Sequence, residues 1–142
     1  MSSPWPAPFL LTLSVLLLTG CSGSSYQPVT GEIVFADGQP VKGLAGGQIV
    51  FQQVNDQGAT TGVSASGAID ADGKFALSTE KAGDGAAVGE YQIVITPPLP
   101  SGDEMLPKVI DEKYTKVGGF TKTYQVKAGP NHFQVSVEPY GK

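Results

Sequence analysis

The sequence predicts an all-β protein: an antiparallel Greek-key sandwich of about seven strands. Three observations predict it. Apolar residues recur with period two in several short runs between residues 29 and 137, which is strand spacing. Glycine (19) and proline (11) are plentiful and fall between those runs instead of in one tract, so they read as turn residues and not as disorder. Beyond residue 20 no segment carries a convincing helical repeat.

The strands follow in order. Over residues 29–36, Val29, Gly31, Ile33 and Phe35 face one way and Thr30, Glu32, Val34 and Ala36 the other. Asp37-Gly38 closes that strand with residues that a tight turn requires. Pro40-Val41 restarts the chain, and residues 43–47 read as a loop. Ile49 and Phe51 alternate with Gln48, Val50 and Gln52 in a second strand. Residues 55–62 are polar and glycine-rich, hence a loop, and residues 64–70 form a strand of small residues. Asp72-Gly73 is a second turn, with Phe75 and Leu77 on one face of the strand that follows.

Residues 80–89 are a Gly/Ala loop. Residues 90–96 are the clearest strand, with Tyr91, Ile93 and Ile95 on one side. Pro97-Pro98 ends it, because proline cannot donate to a ladder. Residues 99–112 make a connection longer than most in a compact domain. Residues 113–120 are ambiguous between element types. Residues 121–127 alternate around Tyr124 and Val126, residues 128–131 turn the chain, and Phe133, Val135 and Val137 form the last inward row. Two such sheets each present one apolar face and must cover each other. The expected core includes Phe35, Phe51, Phe75, Tyr91, Ile93, Phe133 and Val135.

The N-terminal end has a different character. An apolar stretch from Phe9 to Leu18 runs into Leu18-Thr19-Gly20-Cys21, and Cys21 is the only cysteine of the 142 residues. The stretch is too short to span a bilayer, which takes about 20 apolar residues, and fits the ~7–15 of a signal h-region. The segment resembles a bacterial lipoprotein signal peptide ending in a lipobox, although Met1 to Pro8 carries no Lys or Arg. The resemblance implies that residues 1–20 are removed, that Cys21 becomes the first residue, and that its sulfur carries a diacylglyceryl group with palmitate-type chains. Two or three acyl chains hold a protein on a membrane, whereas one binds only marginally. Ser22 stands where Asp tends to retain such proteins at the inner membrane. It therefore points to the outer membrane in a host that has one. Residues 21–27 form a lipidated tether, whose six residues after Cys21 reach ~20 Å at most. Residues 28–142 form one domain; roughly 120 residues suffice for one hydrophobic core. With the single thiol lipidated, no disulfide is left to staple it.

The net charge is −4, and all nine basic residues are lysines. A bidentate phosphate or carboxylate clamp wants arginine, and nucleic-acid binding wants a basic face with aromatics. Both are absent from the sequence, so nucleic acid is excluded as a partner.

Three stretches, in order, carry a family resemblance. The first runs from Val29-Thr30-Gly31 to Asp37-Gly38-Gln39-Pro40-Val41. The second is Ile69-Asp70-Ala71-Asp72-Gly73-Lys74-Phe75 followed by Gly89-Glu90-Tyr91-Gln92-Ile93. The third is Lys113-Tyr114 with Val126-Lys127-Ala128-Gly129-Pro130-Asn131-His132-Phe133. Together they resemble the carboxypeptidase regulatory-like, or transthyretin-like, domains of small bacterial lipoproteins. Asp111 stands where that family often has proline, and the loop at Leu44 is slightly long. The resemblance implies a prealbumin-like or Ig-like sandwich and no catalysis, because in the carboxypeptidases this domain is the non-catalytic companion.

Candidate chemistry is sparse. Asp70, Asp72 and Gly73 suggest a Ca²⁺ loop, but an EF-hand needs Gly at loop position 6 and Glu at 12, where this chain has Phe75 and Lys81. Asp at turns more simply bonds its own backbone. His132, the one histidine, alternates outward from Phe133 and has no partner for a zinc site. Gly62-Val63-Ser64-Ala65-Ser66 misses a nucleophile elbow at its last position. Residues 83–89 miss the dinucleotide fingerprint by one residue and lead into a strand. Asp103, Glu104, Asp111 and Glu112 make the long connection acidic. Paired carboxylates hydrolyse glycosides only across a sugar cleft, so a solvated loop or a contact surface is the simpler reading. Hydroxyisourate hydrolases share the transthyretin-like fold, and their site resembles a His and Arg cluster near a C-terminal Tyr-Arg-Gly-Ser. This chain ends Pro139-Tyr140-Gly141-Lys142, without arginine.

The expectation is therefore a non-catalytic envelope lipoprotein with no cofactor and no metal. It is held on the membrane through Cys21 and contacts an envelope polymer, glycan or protein. A small-ligand carrier and a Ca²⁺-dependent adhesion module remain as alternatives.

Overall fold

The structure, a computed structural model, describes residues 2–4 and 25–142. Cys21, most of the expected signal segment and the start of the tether lie outside the described residues. Seven strands form: β1 (Val29–Phe35), β2 (Gln48–Val54), β3 (Thr60–Ala68), β4 (Lys74–Ala76), β5 (Gly89–Thr96), β6 (Tyr124–Val126) and β7 (Asn131–Val137). One 3-10 turn, Glu112–Thr115, precedes β6. The strands make two sheets, in the order β4-β1-β7 and β3-β2-β5-β6. The β1–β2, β3–β4, β4–β5 and β6–β7 connections change sheet, so the chain wraps a sandwich as expected.

The core follows the alternation. Ile33 in β1, Ile49 and Phe51 in β2, Tyr91, Ile93 and Ile95 in β5 and Val135 in β7 are completely or almost completely shielded from solvent. Burying each such side chain contributes roughly 1.5–3 kcal/mol. Phe51 is the hub: its ring lies 5.8–6.0 Å from those of Phe75, Tyr91, Tyr124 and Phe133. The Tyr91 hydroxyl donates to the Ala87 carbonyl at 2.8 Å, and burial pushes its pKa up, so the ring sits in the core as a neutral phenol. The rings of Tyr114 and Phe120 meet at a 45° tilt, 4.6 Å between centroids, and both are buried.

Several expectations are corrected. The sandwich is not wholly antiparallel, because β1 and β7 pair in parallel from Val29↔Asn131 to Phe35↔Val137. The cause is the short β6–β7 connection. It changes sheet at the end where β1 begins, and Asn131 donates its backbone N–H to Pro28 there, so β7 must start beside the start of β1. Phe35 and Phe133 are half-buried, since one ends its strand and the other lies on the edge strand β7. The loop after β2 is short: Asn55 Oδ1 accepts from the N–H groups of Gln57 and Ala59, and β3 starts at Thr60. Its first five residues are all exposed, so no apolar alternation marked them. Residues 113–115 fall within the 3-10 turn, whose cap is the Asp111 carboxylate accepting from Lys113 N–H at 2.9 Å.

The tether boundary also moves. Gln27 exchanges two backbone hydrogen bonds with Ala86, at 2.7 and 3.0 Å, and its side-chain oxygen accepts from Gly129 N–H at 2.8 Å. The Tyr26 hydroxyl donates to Glu80 at 2.8 Å. Tyr26 and Gln27 therefore belong to the domain, not to a free linker.

Candidate functional site

The sandwich has two unlike ends. One gathers Gln27, the loop leading to β5 and the turn before β7. The loop there is organised by Asp84, whose carboxylate accepts from the N–H groups of Thr79 (2.6 Å), Glu80 (3.0 Å) and Lys81 (2.8 Å). These bonds, that from Thr79 above all, hold its pKa below the usual carboxylate value. Asn131 ties the neighbouring turn by donating to the carbonyls of Lys127 and Gly129, both at 2.9 Å.

The opposite end is where β5 stops at Pro97-Pro98. From there the chain crosses the end of the sandwich until Ile110 bridges Pro139 and Asp111 N–H donates to the Glu138 carbonyl. Four prolines, at 97, 98, 100 and 107, lack donors along this crossing. Among the described residues, only a local turn at Gly102-Asp103 organises residues 97–107, and no hydrogen bond ties them to another part of the sandwich. Between this segment and the loop at Gly43 and Leu44 lies an open groove of about 450 Å³. Its lining is mostly apolar: Leu44, the prolines, Met105, Leu106, Val109 and Ile110. Gly43 permits the close approach of the two walls, since a Cβ there would come within 2.9 Å of the Val109 side chain. Met105 is 94% exposed and Leu99, next to the groove, 86%, so both present apolar surface to solvent instead of folding onto the core.

The rim is charged. Lys108 pairs with Glu112, and its ammonium sits 5.0 Å from the Tyr140 ring centre. The pairing raises the lysine pKa and lowers that of Glu112. Asp103 and Glu104 are exposed beside Met105, with no ion pair among the described residues.

The other sequence candidates are scattered. Asp70 Oδ1 accepts from the N–H groups of Asp72 (2.9 Å) and Lys74 (2.8 Å), which is the turn geometry expected of it. His132 is exposed on β7, with Nδ1 3.1 Å from the Thr30 hydroxyl. Ser64 lies on β3, a strand rather than an elbow. In the loop at residues 83–89, Asp84 turns its carboxylate to the N–H groups of Thr79, Glu80 and Lys81. The four carboxylates of the long connection separate: Asp103 and Glu104 stay exposed in the loop, Asp111 caps the turn and Glu112 pairs with Lys108. Among the described residues no three His, Cys, Asp or Glu side chains are grouped to hold a metal ion, and no helix is long and apolar enough to cross a membrane. Sequence reasoning missed the groove. The signal was there in Pro97-Pro98-Leu99-Pro100 and Met105-Leu106-Pro107, apolar residues placed in a connection that cannot be a strand.

No protein-family model and no curated protein sequence matches the chain. Several solved structures align with it at low identity. A DUF3823 family protein from Parabacteroides merdae is 17% identical with a TM-score of 0.45, over 82% of this chain and 48% of that one. Another from Bacteroides ovatus is 19% identical with a TM-score of 0.45, over 80% and 44%. BcpA, the major pilin subunit of Bacillus cereus, is 15% identical with a TM-score of 0.44, over 81% and 30%. The chain thus spans less than half the length of each.

Proposed function

We propose that this chain is an envelope lipoprotein, held on a membrane through acylated Cys21, whose sandwich is a non-catalytic binding module of the carboxypeptidase regulatory-like kind. The observation that carries the reading is the position of Gln27. It lies six residues after Cys21 and is paired into the end of the sandwich opposite the groove. A domain tethered there stands with the groove facing away from the bilayer, towards the rest of the envelope. The eight residues of β5 join the two ends, which separates them by ~25 Å. The chemistry of the groove, apolar walls with the exposed Met105, supports binding. The Ca²⁺ alternative is weakened because the Asp70 carboxylate already serves two backbone donors.

The test is metabolic labelling with palmitate in the native host, followed by membrane fractionation. Wild type takes up label and sediments with membranes; Cys21→Ala takes up none and is released. An unlabelled, soluble wild type contradicts the reading.

A further inference from the structure

We infer that β7 takes up one further strand: its free edge binds an extended segment of a partner protein through main-chain hydrogen bonds. The inference goes beyond the proposed function, since it uses the side of the sandwich and not the groove. Only its argument against a second copy rests on the proposed anchoring.

The strand pattern leaves this edge open. Asn131 donates its N–H to Pro28 on the β1 side, whereas the Glu138 carbonyl turns the opposite way and accepts from Asp111. Main-chain groups of successive residues point to opposite sides of a strand. His132, Gln134 and Ser136 therefore turn their N–H and C=O groups away from β1. Among the described residues none of these groups has a hydrogen-bond partner. All three residues are exposed. The other sheet edges are short or interrupted. β4 and β6 have three residues each. β3 slips register against β2 between Gln52 and Val54, has Gly62 at φ +86°, and exchanges two hydrogen bonds with Ser78 at Ser66. β7 has seven residues, none of them proline or lysine, and keeps unbroken register with β1. An edge of that kind is a template for another strand unless something blocks it.

The edge itself states what fits it. Its free donors and acceptors recur about every 6.8 Å, which matches extended main chain and not a glycan or a lipid headgroup. The chain already uses the same edge one step further on. Residues 109–111 run antiparallel beside residues 138–140, with Asp111 N–H donating to Glu138 and Tyr140 N–H to Val109. Asp111 then caps the 3-10 turn and the chain leaves, so the ladder stops short of Ser136. A hollow of about 290 Å³, lined by Gln134, Ser136, Phe120, Thr121 and Tyr124 among others, lies along the open stretch and gives room for a side chain of the added strand. Charged groups near the edge carry both signs, Glu32 and Glu138 against Lys113 and Lys122, so main chain and not charge selects the partner. Two β7 edges paired antiparallel would point their tether ends in opposite directions, which works against a second copy anchored in the same membrane.

The experiment uses the full chain held in phosphatidylcholine nanodiscs and two peptides. One is acetyl-Lys-Thr-Val-Thr-Val-Thr-Lys-amide; its twin is N-methylated at two adjacent central residues, which blocks both edges of the peptide. Amide hydrogen exchange is read residue by residue. Without peptide, Phe133 and Val135 should exchange slowly and His132, Gln134 and Ser136 fast. With about 1 mM peptide the fast three should slow about twofold or more, the change that half occupancy gives, and the twin should leave them unchanged. Gln134→Pro removes the central outward donor and keeps the ladder to β1. It should abolish the slowing while the melting temperature stays within about 5 °C.

No slowing at about 1 mM, equal slowing by the twin, or slowing that survives in a folded Gln134→Pro chain overturns the inference. If Gln134→Pro does not fold, the twin decides alone. Slow exchange at His132, Gln134 and Ser136 in the peptide-free chain would mean that the edge is already covered, and overturns it as well. Concentration-dependent self-association that slows the same three amides would make a second copy the occupant and overturn it equally. Loss of nanodisc association with the slowing intact would fault only the anchoring, so the two readings fail separately.

Discussion

The two ends of this sandwich are built on opposite principles. At the end where the chain emerges from residue 25, polar groups are satisfied in pairs: Gln27 against Ala86 and Gly129, Asp84 against three N–H groups, Asn131 against two carbonyls. At the other end, among the described residues, residues 97–107 cross without a hydrogen bond to the rest of the sandwich and leave Leu99 and Met105 in water. Both ends close over the same core around Phe51, so the contrast is not one of hydrophobic support. It is one of backbone satisfaction, and it separates an end fixed by hydrogen bonds from an end with few of them.

Four substitutions probe this contrast. The largest effect belongs to the shared core. Phe51→Ala removes the ring that meets four others and should cost about 3–5 kcal/mol in urea unfolding. A loss under ~1 kcal/mol would mean that the two ends do not share one core. Next comes the pinned end. Gly85 has φ +92°, and a Cβ there would sit 1.7 Å from the Gln27 carbonyl oxygen. Gly85→Ala should cost about 1–3 kcal/mol through backbone strain alone and expose residues 25–28 to proteolysis. An uncleaved, equally stable variant would remove the case for pinning.

Asp84→Asn should act through pH. The folded pKa of Asp84 lies below its unfolded value. Its contribution is therefore complete above about pH 4 and is lost as pH falls through the lowered folded value. The melting temperatures of wild type and Asp84→Asn should differ most near neutral pH and converge on acidification. A gap that stays constant down to about pH 2 would show that the carboxylate charge has no part in holding the loop. The smallest effect belongs to the open end: Met105→Asp should change stability by less than ~0.5 kcal/mol, because nothing packs on a side chain so exposed. A larger loss would show that the segment is part of the core.

The same contrast explains what could be read in the sequence. β5 and β7 were legible because Tyr91, Ile93 and Ile95, or Val135 and Val137, alternate against polar neighbours. The first half of β3 was not, since an exposed strand rich in Thr and Ser looks like a loop. The parallel pairing of β1 with β7 was hidden because it joins residues a hundred positions apart, such as Thr30 and His132, and period-two spacing carries no direction. The seam at Gln27 was hidden for the same reason: its partners are Ala86 and Gly129, far along the chain. The turn role of Asp70 was legible, being local, whereas that of Asp84 depends on three backbone donors gathered by the fold. The groove had composition as its only trace, because apolar residues in a connection follow no period.

The arrangement itself can be measured by energy transfer from a donor on the protein to acceptor dyes in the bilayer of vesicles carrying the chain. The donor is placed at Lys127→Cys, on the pinned end, or at Ser101→Cys, over the groove. Lys127→Cys should lie close to the lipid headgroups, and Ser101→Cys roughly 25 Å farther out, the span of β5. Equal distances, or the groove end nearer the bilayer, would contradict a domain that is tethered at one end and open for binding at the other.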